Sequence, residues 1–405
     1  MKIAIIGGGA SGMVTAYLLD RQGHEVTVFE REAMLGGHIR TLNQNVQPNH
    51  STCDRLLENG VLEFPTVFHS FMQLMQELEV ELEPVEVGSA LFLQDGRHFL
   101  SGGMIRKNFR GIQRWIEYLR LDTLYARSAG FWVTTQFAPL HDFRHQPTAH
   151  YLGQPCLRNC WLKLLAMYSY SMPFELIDNC PADLVLPALR DYVFVNWVRI
   201  KGGVYSYIQK ILDRFHGTIC LQANVLAVAR TPEGVRIVRS QGRHQLFDKV
   251  VFATPPDQVL HLLADPLPSE MQRFAAWQAN YATTVLHQET TMYDRYGVQF
   301  GSEFDFFQTA TGWGYNACLN QLCGLLDEAP YSLAFNLDSL IAPDKILHIQ
   351  RHHTPLYTVA AFRYRDDVIR TNGEHNTYYV GAYLGDGLHE GAIASAMRVA
   401  ELIGA

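Results

Sequence analysis

Residues 1–41 constrain this chain more than any other stretch, because strand, glycine turn, helix, second strand and acid follow one another in unbroken order. Lys2 to Ile6 is a short apolar run, which predicts a strand buried on both faces. Gly7, Gly9 and Gly12 then spell G-x-G-x-x-G. The first glycine permits the tight turn, the second lets backbone approach a pyrophosphate, and the third lets the helix pack close to the strand. Met13, Val14, Tyr17 and Leu18 recur at helical spacing, so a helix is expected from about Ala10 to Gln22, ended by Gly23. Its opening residues, Ala10 and Ser11, would aim free N–H groups at a phosphate. Glu25 to Phe29 reads as the second strand. Glu30, with Arg31 behind it, closes that strand about twenty residues past the glycines, where an acid binds ribose hydroxyls. The unit as a whole predicts a dinucleotide site.

Composition narrows the partners. A chain of 405 residues is long enough for two interleaved domains. Its net charge of −7 argues against nucleic acid as a general partner. No apolar run approaches the roughly 20 residues of a membrane span. With the first strand starting at Lys2, no leader peptide is expected, and the location expected is cytoplasmic. The seven cysteines follow no zinc spacing and read as free thiols, with Cys156 and Cys160 able to share a helical face as a redox pair. His141, His145 and His150 lack both an intact helix, because of Pro147, and a completing acid or thiol, so no metal is expected.

A second glycine pair follows in Leu35-Gly36-Gly37-His38-Ile39-Arg40-Thr41. It resembles the flavin amine oxidase superfamily, which includes phytoene desaturases and protoporphyrinogen oxidases. There this pair lies against the FAD pyrophosphate and is usually followed by Arg; here His38 takes that place and Arg40 comes two later. The resemblance implies non-covalently bound FAD rather than NAD. It extends to Leu57–Pro65, which would pass the flavin ring before a helix over Val67–Leu78. It also covers the returning segment from Lys201 to Pro256, in which Val225 matches the position whose backbone holds the adenine.

The last segment is similar to the C-terminal flavin motif of the superfamily. A strand from Asn376 to Tyr383 leads through Leu384-Gly385-Asp386-Gly387-Leu388-His389-Glu390-Gly391-Ala392-Ile393 into a final helix. Such a helix presents its positive end to the N1–C2=O side of the flavin. Small residues such as Gly391 and Ala392 allow close approach, next to Ile393. Ala382 replaces the superfamily's usual acid, with Asp386 a candidate substitute. His389 is the candidate for proton handling, and Glu390 for capping the helix or binding FAD. No residue matches the flavin-side lysine of amine oxidases.

The fold class implied is α/β. A Rossmann-like, amine oxidase-like FAD-binding domain (1–85, 200–263 and 355–405) is interleaved with a mixed α+β substrate domain (86–199 and 264–354). The stretch from Phe131 to Trp197, which includes Trp161, Tyr168, Tyr170, Tyr192 and Phe194, is dense in aromatics. Most are expected in the core, with Tyr170 and Trp197 as substrate-pocket candidates. A helix over Ile105–Arg127 is expected, with Ile105, Phe109, Ile112, Ile116 and Leu119 as its apolar stripe. Arg106, Lys107, Arg110, Arg114, Arg120 and Arg127 line the rest, as a solvated face or as a dock for anionic lipid headgroups or an acyl-carrier phosphate.

Blocks at Tyr170–Phe174, Trp197–Gly203, Thr284–His287 and Gly381–Glu390 resemble the FAD-dependent oxidoreductases encoded beside cyclopropane-fatty-acyl-phospholipid synthases. A similar layout occurs in a bacterial FAD-containing polyunsaturated fatty acid isomerase. This implies oxidation of a small apolar, fatty-acyl or lipid-like substrate by hydride transfer to flavin N5. The alternatives are a double-bond isomerase or amine oxidase, and a flavin-binding partner protein without turnover.

Overall fold

The computed structural model describes residues 1–49, 53–192, 195–326 and 329–404, without the side chains of residues 140 and 241. The end of the polar loop expected over Asn43–Ser51, and Phe194, lie outside the described residues. A parallel sheet of five strands stands at the centre, in the order Thr377–Tyr379, Lys249–Phe252, Lys2–Ile6, Glu25–Phe29, Thr218–Cys220. Its middle strand explains its own burial. Ile3 and Ile5 point into one apolar cluster and Ala4 and Ile6 into another, the period of two that a strand imposes. The first cluster joins the helix Ala10–Arg21, through Met13, Val14 and Tyr17, to the last helix His389–Gly404, through Ile393, Ala396 and Val399. The two ends of the chain thus share one core.

A seven-stranded mixed sheet forms the second layer system, in the order Ile346–Pro355, Ala279–His287, Ser332–Phe335, Gly312–Cys318, Phe304–Thr309, Ser89–Phe92, His98–Phe99. It alternates in the same way. Leu91, Leu286, Phe306, Leu333 and Phe335 face the cluster shared with the central sheet. Ala90, Phe92, Val285, Phe307 and Ala334 face the helix Gly102–Asn108. Two antiparallel three-stranded sheets complete the strands. One holds Val225–Thr231, Gly234–Arg239 and His244–Phe247; the other sets Trp197–Ile200 between Phe64–Pro65 and Leu82–Val85. The helices Leu157–Tyr170 and Ala182–Asp191 bury their apolar residues in the shared cluster.

Two expectations need correction. The strand expected over Asn376–Tyr383 stops at Tyr379, because Gly381 (φ +152°) turns the chain into a short helical turn at Ala382–Leu384. The helix expected over Ile105–Arg127 is two helices, Gly102–Asn108 and Gly111–Phe137, broken at Phe109–Arg110 by extended backbone. The apolar stripe assigned to it is split as well. Ile105 is buried, but Ile112, Ile116 and Leu119 are exposed, and the long helix buries Glu117, Leu121, Leu124, Ser128, Phe131 and Thr135 instead. No helix among the described residues is long and apolar enough to cross a membrane.

Candidate functional site

The central strand delivers the chain to the glycine turn at its C-terminal edge, where open parallel sheets hold ligands. Gly7 donates its N–H to Phe29 O (2.8 Å) and has φ +107°; a Cβ there would lie 2.6 Å from Ala253 O. The second glycine pair closes onto the first. Gly36 N–H donates to Gly8 O at 2.9 Å, and Gly9 bridges Gly36. Gly37, at φ +59°, approaches so closely that a Cβ would fall 2.9 Å from Gly9 Cα. The helix Ala10–Arg21 begins at Gly9 with no side-chain cap and no acid in its first turn, leaving its positive end available to an anion.

Arg40 supplies a charge to the same place. It is buried, and the one hydrogen bond of its guanidinium among the described residues is a long one, 3.5 Å to Leu35 O. A buried guanidinium so poorly satisfied is expensive unless an anion shares the site. Glu30 lines the same cavity. Its Oε2 accepts from Gly8 N–H (2.7 Å) and its Oε1 from Glu32 N–H (2.8 Å), so the carboxylate is fixed in orientation.

The far end of the chain supplies the facing wall. Gly387, Leu388, His389 and Ala392 line the same cavity as Gly9, Glu30, Gly37 and Arg40. The His389 ring shares a hydrogen bond with Tyr207 OH (2.8 Å) and sits edge-on to Phe64 and Phe71. Burial pushes its pKa down to about 4, so the imidazole is neutral near pH 7. His38 Nε2 is 2.7 Å from His353 O. Thr254 Oγ1 and Tyr383 OH also belong to cavity-lining residues and are buried without a partner among the described residues.

The family model of flavin containing amine oxidoreductases matches residues 10–287. The chain belongs to that family. A 4,4'-diapophytoene desaturase from Staphylococcus aureus is 44% identical over 292 residues, covering 62% of this chain and 54% of that protein. The chain therefore spans about half the length of the curated relatives it matches. Among solved structures, a putrescine oxidase triple mutant aligns with a TM-score of 0.69 at 16% identity, covering 99% of this chain and 98% of that one. A CLA-producing fatty acid isomerase from P. acnes aligns at 0.70 with 15% identity, covering 99% and 97%. At such identities these likenesses speak for the fold alone. Membership of that family implies a flavin cofactor.

Most of the expected site residues converge. Gly7, Gly9, Ala10, Ser11, Glu30, Arg31, Gly36, Gly37, His38, Arg40, Val225, His389 and Ala392 line one cavity of about 840 Å³, together with Tyr170 and Trp197. Others stand behind its wall. Gly12 is pressed so tightly against the turn that a Cβ would meet Gly7 O at 2.0 Å. Asp386, expected at the cofactor, caps the last helix instead. Its Oδ1 accepts from Leu388 and Gly391 N–H (2.9 and 2.8 Å), and its Oδ2 accepts from Tyr192 OH (2.9 Å). Glu390 caps a different helix, His69–Glu77, by accepting from Ser70 and Phe71 N–H (2.8 and 2.9 Å). Gly391 packs on Gly385, and Ile393 is fully buried in the core. Cys160 is held as a thiol, its pKa pushed up to about 12 by burial, so it is a weak partner for the exposed Cys156.

Beyond the cradle the cavity becomes aromatic. Tyr168 stacks on Phe304 (4.2 Å between centroids), and Tyr170 OH donates to Leu184 O and Asp386 O (3.2 Å each). Trp161 and Tyr125 extend the wall, 5.9 Å apart. One ionisable group in this lining has no counterpart in the sequence reading. Glu63 is buried; its Oε1 accepts from Tyr168 OH (2.7 Å) and its Oε2 has no partner among the described residues. Burial, helped by the charge of Glu303, raises its pKa to about 7. The one available signal was an acid inside the apolar run Val61-Leu62-Glu63-Phe64.

Proposed function

We propose that this chain holds FAD non-covalently and uses it to oxidise a small apolar, fatty-acyl or other lipid-like substrate. The observation that carries this is the continuity of one cavity from the glycine cradle to the aromatic wall at Tyr125, Trp161 and Tyr168. The cradle has the parts of a dinucleotide site, with Val225 and Glu30 at one end, the paired glycines and Arg40 in the middle, and the N-terminus of the last helix beyond. FAD, when bound, supplies a hydride acceptor at N5. The residues do the rest. Arg40 and the helix start at Ala10 hold the pyrophosphate charge, and Glu30 holds the ribose. The last helix offers its positive end, and neutral His389 serves as a hydrogen-bonding wall.

Desaturation removes a hydride and a proton from adjacent carbons and leaves a C=C bond. Glu63 Oε2 is the group placed to take that proton, because its pKa of about 7 lets the carboxylate both form and recapture a proton near neutrality. Tyr168, bonded to Oε1, orients it. No lysine lines the cavity among the described residues, which argues against an amine substrate handled as in amine oxidases. The free cysteines support a reducing, cytoplasmic location. The blocks at 170–174, 197–203, 284–287 and 381–390 support placement in the subgroup encoded beside cyclopropane-fatty-acyl-phospholipid synthases. The proposed cofactor domain comprises 1–85, 200–263 and 355–405; every strand of the parallel sheet falls in it.

Anaerobic photometry with candidate lipids tests the reading. Lasting bleaching of the flavin band is expected. Product formation without net bleaching would make the protein an isomerase, and no spectral response to any lipid would leave it a flavin-binding partner protein.

A further inference from the structure

The helix Gly111–Phe137 is apolar on two sides. One side is the buried stripe described above. At 100° per residue the other runs through Ile112, Trp115, Ile116, Leu119, Val133 and Phe137, centred close to opposite the first. These six side chains are between 44 and 84% exposed. A helix of 27 residues is about 40 Å long, so the stripe is a ridge rather than an isolated contact. Phe300, also exposed, stands beside its start, its loop held by Asn108, which donates to Phe300 O (2.8 Å) and accepts from Phe300 N–H (3.0 Å).

Charge frames this ridge. Residues 102–137 carry six cations, Arg106, Lys107, Arg110, Arg114, Arg120 and Arg127, against two carboxylates, in a chain whose net charge is −7. One of those carboxylates, Glu117, is buried and faces inward, paired with Arg120 at 2.7 Å. Arg106, Arg110 and Arg127 are exposed. An exposed apolar stripe with a tryptophan, flanked by arginines, suits the boundary between headgroups and acyl chains of an anionic bilayer. The same helix carries Tyr125, which lines the cavity. The ridge therefore adjoins the aromatic end of the cavity rather than the cofactor end.

We propose that this ridge seats the protein on an anionic lipid bilayer, with the helix lying in the interface plane, and that apolar substrate passes from the bilayer by way of Tyr125. The docking stands on the ridge alone; the passage rests on the lipid substrate proposed above. The test is co-sedimentation of the flavin-loaded protein with vesicles of phosphatidylcholine alone and with added phosphatidylglycerol. Binding only to the anionic vesicles, weakening with salt, is expected. The exposed double variant Ile116→Glu/Leu119→Glu should keep its flavin content and lose the binding. Arg106→Gln/Arg110→Gln should weaken it by roughly fivefold per arginine removed. Equal binding to neutral vesicles, or binding that survives the double glutamate variant, would overturn the proposal. So would a concentration-dependent dimer, or capture by an acyl-carrier domain, that the double variant abolishes while vesicles fail to bind. Turnover separates the two ideas. The double variant should oxidise detergent-dispersed lipid like the parent and lose activity only on lipid presented in vesicles. Vesicle binding by a parent protein inert toward every lipid would retain the docking and refute the lipid oxidation.

Discussion

The cradle and the aromatic wall enclose one cavity but are built in opposite ways. The cradle is backbone. Gly7, Gly9, Gly36 and Gly37 contribute almost no side chain, and what the cradle offers is N–H groups, a helix end and one buried arginine. The wall is side chain. Glu63, Tyr168, Trp161 and Phe304 come from separated segments and acquire their properties only from one another. Backbone sites depend on steric absence and tolerate no added atoms. Side-chain sites depend on burial and titrate with it.

The largest effect should come from breaking the cradle sterically. Gly37→Val places a Cβ within 2.9 Å of Gly9 Cα at φ +59°, and the strained backbone alone costs about 1–3 kcal/mol. The purified variant should carry no flavin absorbance; a normal flavin content would show that the two glycine turns need not touch. Next comes the wall. Glu63→Gln should lower the oxidation rate by about 10²–10⁴-fold while leaving flavin content intact. In the parent, the rate should climb as pH rises through about 7, as the carboxylate forms, and the variant should lose that limb.

The same residue makes a stability prediction of definite sign. Its folded pKa lies above the ordinary value of 4.5, so its contribution to stability is fully present below about 4.5 and is lost as pH rises through about 7. Glu63→Gln should therefore raise Tm at pH 8 more than at pH 5, and a pH-independent Tm difference would mean that Glu63 is not buried as a carboxyl. Arg40→Gln should weaken flavin binding by about 10- to 100-fold, the worth of a charged hydrogen bond, measured by equilibrium titration of the apoprotein. The smallest effect is expected from Tyr207→Phe. It removes the partner of His389 Nε2 at a cost of about 1 kcal/mol, and should move the flavin spectrum with little change in rate. A rate loss as large as that of Glu63→Gln would shift proton handling to His389.

The comparison also explains which parts were legible. Gly7-x-Gly9-x-x-Gly12 and Gly36-Gly37 could be read because each needs only its neighbours to state its conformation. Asp386 and Glu390 misled for the converse reason. An acid near a glycine-rich helix start suits a cofactor contact or a cap equally well. The difference is set by Tyr192 and by the helix at His69, both far away in sequence. The helix at 111–137 shows the same limit. Its two stripes are both apolar, and periodicity reports that a face exists without saying which face meets the core.

By itself, the sequence determined the order of strand, turn and helix and the glycines of the two tight turns, because these follow from local sterics and short-range spacing; the flavin family was legible only through resemblance of its motifs. Only the tertiary structure decided that Glu63 sits with Tyr168 in the wall, that Arg40 is buried with almost nothing to bond, and that Ile112, Trp115 and Leu119 remain exposed. Those properties come from burial and from contacts between distant segments, and desolvation is set by everything that surrounds a group rather than by its neighbours in the chain.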